Sequence, residues 1–287
     1  LKFNLLKKRR SSLKILATKF IIYLILLAGT VVALFPFLWM ASSSFKSQAE
    51  IFSTAIKLIP SKISSEHYKF AFDALPLWRN LFNTALVSTS LTFLSLFFCS
   101  LAGFAFAKYS FPAREPLFYF LLATMMIPGE TGLVAAFIVM NVLHWVDTYW
   151  ALIIPGAASA FGIFFMRQYM LTVPNDILEA AIIDGCSPFE VYLRIVLPLV
   201  KPAIAALGIM TFMYSWNDFL WPLIVMRSPE KFTLMVAISS LVAISGFSTP
   251  WGAIMAGCTF AILPLIVVFL LFQRQFVSGI MLGAVKR

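Results

Sequence analysis

Six stretches of this chain are apolar over the roughly 20 residues that a helix needs to cross the hydrocarbon core of a bilayer. They are residues 20–41, 81–107, 116–140, 149–166, 202–226 and 251–272. A chain built this way is predicted to be an all-α membrane protein with six transmembrane helices, the fourth being the shortest. Composition agrees, since only 12% of the 287 residues are charged, where soluble domains carry about 25%. The first run follows the basic start "LKFNLLKKRRSSLKILATK". It exceeds the roughly 7–15 apolar residues of a cleaved signal peptide, so it reads as an anchor that stays in place. The expected organisation is a basic segment 1–19, one helical membrane domain 20–273 and a tail 274–287, undivided by repeats or low-complexity linkers.

The Lys and Arg residues orient the chain. With the N-terminus inside, fifteen of the 22 fall on the inner side and seven on the outer. The positive-inside rule then predicts both termini in the cytoplasm. Orientation accounts for the net charge of +10, and nucleic-acid binding is set aside. Cys99 and Cys258 lie within apolar runs and Cys186 lies between runs four and five, which gives neither a disulfide framework nor metal-ligand spacing. The longest outer loop, 42–80, is polar and aromatic enough to fold against the outer face.

Between runs four and five, on the predicted cytoplasmic side, stands "EAAIIDGCSPFEVYLRIVLP", residues 179–198. Pro174, with Asn175 and Asp176 as capping candidates, opens a helix of two to three turns, and Gly185 closes it as a left-handed stop. Ile177, Leu178, Ala180, Ala181, Ile182 and Ile183 run nearly all round this helix, so it must be surrounded. It is far too short to span. Ser187 and Glu190 then form S-x-x-E, a capping box. Pro188 takes the first helical position, where its missing N–H costs nothing. The second helix runs to Pro198, giving a helix–Gly–helix elbow. An amphipathic loop at the lipid headgroups is the plainer alternative. Such helices favour Lys and Arg on the polar face, whereas this one carries Asp176, Glu179, Asp184 and Glu190 against Arg194 alone. An acidic elbow suits a protein cleft better.

The spacing Glu179-Ala180-Ala181, three residues, Gly185, nine residues, Ile195, one residue, Leu197-Pro198 resembles the EAA loop of ATP-binding-cassette importer permeases. Further likeness lies in "FPFLWMASSSFKS", "FAFAKYSFPARE", "YWALIIP", "SWNDFLWPL" and "FQRQFVSGIMLGAVKR". These are similar to the carbohydrate-uptake branch, and more narrowly to the smaller permease of maltose-type and multiple-sugar importers. "IPGETG" in the third run departs from that pattern and carries no substrate contact over. The resemblance implies a type I ABC importer permease fold in a bacterial cytoplasmic (inner) membrane. It implies partners: a second, different permease, two ATPase subunits and an extracytoplasmic substrate-binding protein. It also implies that the elbow, about 172–201, docks on the ATPase through Glu179, Ala180, Ala181, Asp184, Gly185, Ile195, Leu197 and Pro198. The chain lacks G-x-x-x-x-G-K-[ST], so ATP and Mg belong to the partner and no cofactor is expected here. Neither H-E-x-x-H nor G-x-S-x-G occurs, and His67 and His144 both fall in outer loops.

Charge within the runs suggests a path. Glu130 lies 15 residues beyond Glu115 and Asp218 lies 17 beyond Lys201, roughly 22 and 25 Å up a continuous helix. Both are expected in the outer half of the membrane, where an acid faces the bundle interior or a water-filled cavity. Glu130, Asn217 and Asp218 are candidates to line a polar path, against the alternative of helix-to-helix hydrogen bonds. Trp216 and Trp221 could stack on sugar rings or serve as interfacial anchors. Pro36, Pro128, Pro155, Pro222 and Pro264 interrupt runs and offer joints. The expected function is import of an oligosaccharide, with acidic oligosaccharide or glycerol phosphate as alternatives. An ion-coupled secondary transporter or a static scaffold is the alternative from another class, and the matched elbow decides against both.

Overall fold

The computed structural model describes the backbone of residues 2–53, 57–244 and 250–284, and side chains within 16–273 apart from 17 and those two gaps. The side chains of the basic segment 1–15 and of the tail 274–287 lie outside the described residues. Among the described residues the regular structure is all helical, with no strand. The chain forms two compact units, 1–71 with 247–260, and 72–246 with 261–287.

In the first unit, α1 (Lys2–Ser43) runs unbroken through Pro36. Its apolar part, Thr18–Ser43, is exposed along nearly all its length. The loop that follows folds on itself around α2 (Gln48–Ile51) and the start of α3 (Glu66–Ala74). Lys46 is fully buried there; its ammonium donates to the Lys57 carbonyl and lies 4.0 Å over the Trp39 ring. The Glu50 carboxylate accepts from the backbone N–H and hydroxyl of Ser61, pinning the loop shut.

In the second unit, α4 (Leu77–Lys108) is the central strut. It packs on α8 (Ala160–Leu171) and α12 (Lys201–Asn217). Small residues let these backbones approach closely. A Cβ on Gly103 would stand 2.7 Å from the Cβ of Met166, and one on Gly162 2.6 Å from the Sγ of Cys99. Toward the Lys108 end, the core holds Cys99, Phe104, Met166, Met170 and Leu207 together with residues of the elbow. Toward the Leu77 end, a separate core holds Val87, Met140, Ala151 to Ile153, Val225 and Met226.

Among the described residues, three helices are long and apolar enough to cross a membrane: Thr18–Ser43, Leu77–Lys108 and Trp251–Gln273, the last within α15 (Trp251–Ala284). These match runs one, two and six. Runs three, four and five break. The third is α5 (Arg114–Thr124) and α6 (Leu133–Val142), joined through a 3₁₀ turn at Gly129–Gly132 and bent by 93°. The fourth is α7 (Tyr149–Ile153) and α8, parted at Pro155 and Gly156. The fifth is α12 and α13 (Leu220–Val225), parted at Asp218 and Phe219. Prolines lack the N–H that continues a helix, yet Pro36 and Pro264 lie inside unbroken ones. The helix α14 (Leu234–Ile244) buries Leu234, Val236, Ala237, Ile238 and Leu241.

Candidate functional site

The elbow begins at α9 (Asn175–Ile183). Asn175 and Asp176 do not cap it. Pro174 occupies the cap position without a side-chain bond, and the Asn175 amide oxygen instead accepts from the Lys108 ammonium at 2.8 Å. That ammonium also donates to the Val173 carbonyl, so the start of the elbow is tied to the end of α4. At the other end Gly185 has φ +88°. Its N–H donates to the Ile182 carbonyl and the Cys186 N–H to the Ala181 carbonyl. This pair of bonds is a Schellman stop, which needs a left-handed residue.

The second helix starts at α10 (Pro188–Glu190) with both bonds of the capping box in place. The Ser187 backbone and hydroxyl, aided by Arg194, hold the Glu190 carboxyl below its ordinary value. The helix widens into a π turn over Val191–Val196 before α11 (Leu197–Leu199). Pro198 explains the widening: it cannot donate to Arg194, and its ring would clash with that carbonyl in an α-helix. The axis then turns by 82° into α12.

The motif residues divide between two faces. Glu179, Ala180, Asp184, Gly185 and Pro198 are exposed, while Ala181 is buried and Ile195 and Leu197 pack against the core. Leu178, Val191, Tyr192 and Val196 join that inward face. The expectation that α9 is surrounded on all sides fails for this chain alone, because Ile182, Ile183 and Phe189 are exposed. Glu179 and Asp184 make no ion pair among the described residues. Uncovered apolar side chains beside unpaired acids form a surface suited to a partner.

The candidate path residues are not all placed alike. Glu130 is exposed on the 3₁₀ turn after the bend, so its height cannot be counted up one continuous helix from Glu115. Asp218 ends α12 and is partly buried there. Asn217 is exposed and donates to the Met213 carbonyl. Trp216 is 3% exposed and donates to the Ala261 carbonyl, so its ring belongs to the core and cannot meet a sugar. Trp221 donates to the Ala151 carbonyl. Tyr214, unnoticed in the sequence, is 73% exposed near the end of α12, one turn before Asp218. An apolar cavity of about 740 Å³ between α4, α12 and α15 has Lys201 as the charged residue in its wall and offers few partners for sugar hydroxyls.

A second feature escaped the sequence. Asn80 donates to the Pro229 and Phe232 carbonyls, Asn83 to those of Glu230 and Phe232, and Thr84 accepts from the Leu234 N–H. Beside this clamp, Asp147 accepts from Arg227, Ser228 and Lys231, the last at 3.1 Å. Burial pushes the Asp147 carboxyl up, but the hydrogen bonds from Ser228, Arg227 and Lys231 outweigh it and hold the acid well below the usual range. The clamp partners are about 150 residues apart in sequence and those of Asp147 about 80, and local pattern gives no sign of them.

Residues 95–281 match the family described as the binding-protein-dependent transport system inner membrane component. The chain is 39% identical to the arabinooligosaccharides transport system permease protein AraQ of Bacillus subtilis, over 88% of this chain and 90% of that one. It is 34% identical to the sn-glycerol-3-phosphate transport system permease protein UgpE of Rhizobium meliloti, over 90% and 94%. The fold is similar to a crystal structure of a bacterial ABC transporter involved in the import of the acidic polysaccharide alginate. The TM-score is 0.78 at 24% identity, covering 89% of this chain and 95% of that one.

Proposed function

Because this chain belongs to the binding-protein-dependent transport system inner membrane components, we propose that it is the smaller of two unlike permeases in an ATP-driven importer of an oligosaccharide. It is a multi-pass permease of the inner membrane, and the catalysis of such a system lies outside it. In this reading the chain crosses the membrane six times in a type I importer fold, counting each broken pair as one span. The membrane domain is 20–273, and the segments 1–19 and 274–287 are cytoplasmic. Two ATPase subunits hold ATP and Mg, and an extracytoplasmic binding protein delivers the substrate.

The division of the elbow supports this most. Glu179, Ala180, Asp184, Gly185 and Pro198 face out to meet an ATPase, while Ala181, Ile195 and Leu197 fasten the elbow to the membrane helices. A loaded binding protein docks outside, ATP closes the ATPase dimer inside, and the elbow turns that closure into a rocking of the spans. The breaks at Met125–Pro128, Pro155–Gly156 and Asp218–Phe219 supply joints for it.

Glu130, Asp218 and Tyr214, with Asn217, are the proposed polar contacts on the path. Two acids there favour an uncharged oligosaccharide over an acidic one, as sugar hydroxyls donate well to carboxylates. A second reading, an acidic sugar or glycerol phosphate, draws on Lys57, Lys62 and Lys69 around a cavity of about 830 Å³ in the outer loop. Co-purification of the native complex followed by ATPase assays over a sugar panel decides between them. A neutral oligosaccharide should stimulate hydrolysis, whereas stimulation by acidic sugars alone would reverse the substrate assignment. Absence of any co-purifying ATPase would refute the docking role.

A further inference from the structure

An elbow that docks outside the membrane must hand its movement to the spans, and one buried joint is built to do so. We propose that Tyr192 is the positioning residue through which elbow movement reaches α4, with its hydroxyl bond to Ser100 as the joint; this rests on the docking role proposed above. Tyr192 stands in the π turn and is 2% exposed. Single wide turns of this kind gather at functional sites. The Ser100 hydroxyl donates back to the Leu96 carbonyl at 2.5 Å, so its own hydrogen is used. The Tyr192 hydroxyl therefore donates to Ser100 Oγ, 2.7 Å away.

Ring contacts extend the joint in both directions. Phe189, half exposed on the elbow, lies 5.8 Å from the Tyr192 ring. Tyr192 lies 5.4 Å from Phe104 of α4, and Phe104 meets Tyr109 edge-on at 5.3 Å. Pressure on Phe189 thus passes through Tyr192 into α4 without crossing solvent. A buried hydroxyl that loses its acceptor has no water to replace it. The elbow and α4 therefore move together or leave that group unsatisfied. The Lys108 tie to Val173 and Asn175 cannot do the same, since its Asn175 half is exposed.

From Ser100, α4 runs unbroken to Asn83 and Asn80, about 25–30 Å at the rise of a helix. There the two amides grip the Pro229, Glu230 and Phe232 carbonyls. One helix thus joins the elbow joint to the clamp at the far end of the same unit.

The test uses the complete complex, both permeases with ATPase and binding protein, in proteoliposomes. Tyr192→Phe keeps the ring and removes the hydroxyl; Ser100→Ala removes the acceptor. Each variant should reach the membrane and retain its ATPase and basal hydrolysis. Stimulation by the loaded binding protein, and uptake, should each fall about fivefold or more. The double variant should be no worse than either single one, because both remove the same bond. A role in stability alone would lower Tm and leave the ratio of stimulated to basal hydrolysis untouched; that result overturns the proposal, as does wild-type uptake in both variants. Glu179→Ala run alongside separates the two claims. If it uncouples the complex while Tyr192→Phe does not, the joint fails and docking stands. If Glu179→Ala also retains full coupling, docking fails with it.

Discussion

Replacing Gly185 should uncouple the importer without removing it from the membrane. At φ +88° an L side chain is strained, while a Cβ there would meet nothing within 4 Å on this chain. The penalty is therefore a backbone one, about 1–2 kcal/mol for Ala, or about a 5- to 30-fold drop in the population of the correct elbow. A β-branched residue fares worse in the left-handed region. The inward residues Leu178 and Ala181 keep their packing, so Gly185→Val should accumulate normally. Its co-purification with the ATPase and its substrate-stimulated hydrolysis should fall at least as far as for Ala. Gly185→Asn, which visits the left-handed region more readily, should lose least. The assay is ATPase recovered per permease in detergent, with uptake in cells. Full ATPase recovery and normal uptake by Gly185→Val would refute the reasoning.

Glu179→Ala should abolish transport at unchanged membrane levels if docking buries this exposed acid against a cation, a loss of roughly 3–5 kcal/mol; uptake by Glu179→Gln close to wild type would instead leave only a helix-dipole effect of about 0.3–1 kcal/mol. Ser187→Ala removes the capping oxygen of the second elbow helix and should cost about 1 kcal/mol, read as earlier proteolysis within 186–198. Asp147→Asn should loosen the 227–231 segment at neutral pH. Because the folded carboxyl is held below its ordinary value, its stabilisation is present above about pH 4 and lost as pH falls toward the folded value. Hydrogen exchange in that segment should thus differ between wild type and variant at pH 7 and converge in strong acid. Ser65→Cys should react with an impermeant reagent from outside while Cys186 is protected; the reverse would invert the topology.

Much of the elbow was legible because its determinants are local. A capping box needs two residues three apart, and a left-handed stop needs one glycine, so Ser187, Glu190 and Gly185 could be read directly. The cap at Pro174 was misassigned because Asn175 is engaged by Lys108, 67 residues away. Runs one, two and six are single helices, whereas hydropathy cannot register a bend. A window across Met125–Pro128 is as apolar as a straight span, and proline does not decide, since Pro36 and Pro264 are absorbed without a break. That bend removes the continuous helix along which the height of Glu130 was counted. Trp216 could be offered as a sugar platform or an interfacial anchor because its acceptor, the Ala261 carbonyl, is 45 residues away and local pattern gives no sign of it.

The central claim, that ATP hydrolysis on a partner drives this permease through the elbow, is tested most directly by uptake into proteoliposomes assembled with and without the ATPase. The purified permease pair with loaded binding protein outside should accumulate no labelled oligosaccharide, with or without an imposed proton or sodium gradient. Adding the ATPase and enclosed ATP should start uptake, and Glu179→Ala should stop it again. Accumulation by the permease pair alone, driven by an ion gradient and indifferent to ATP, would contradict the account.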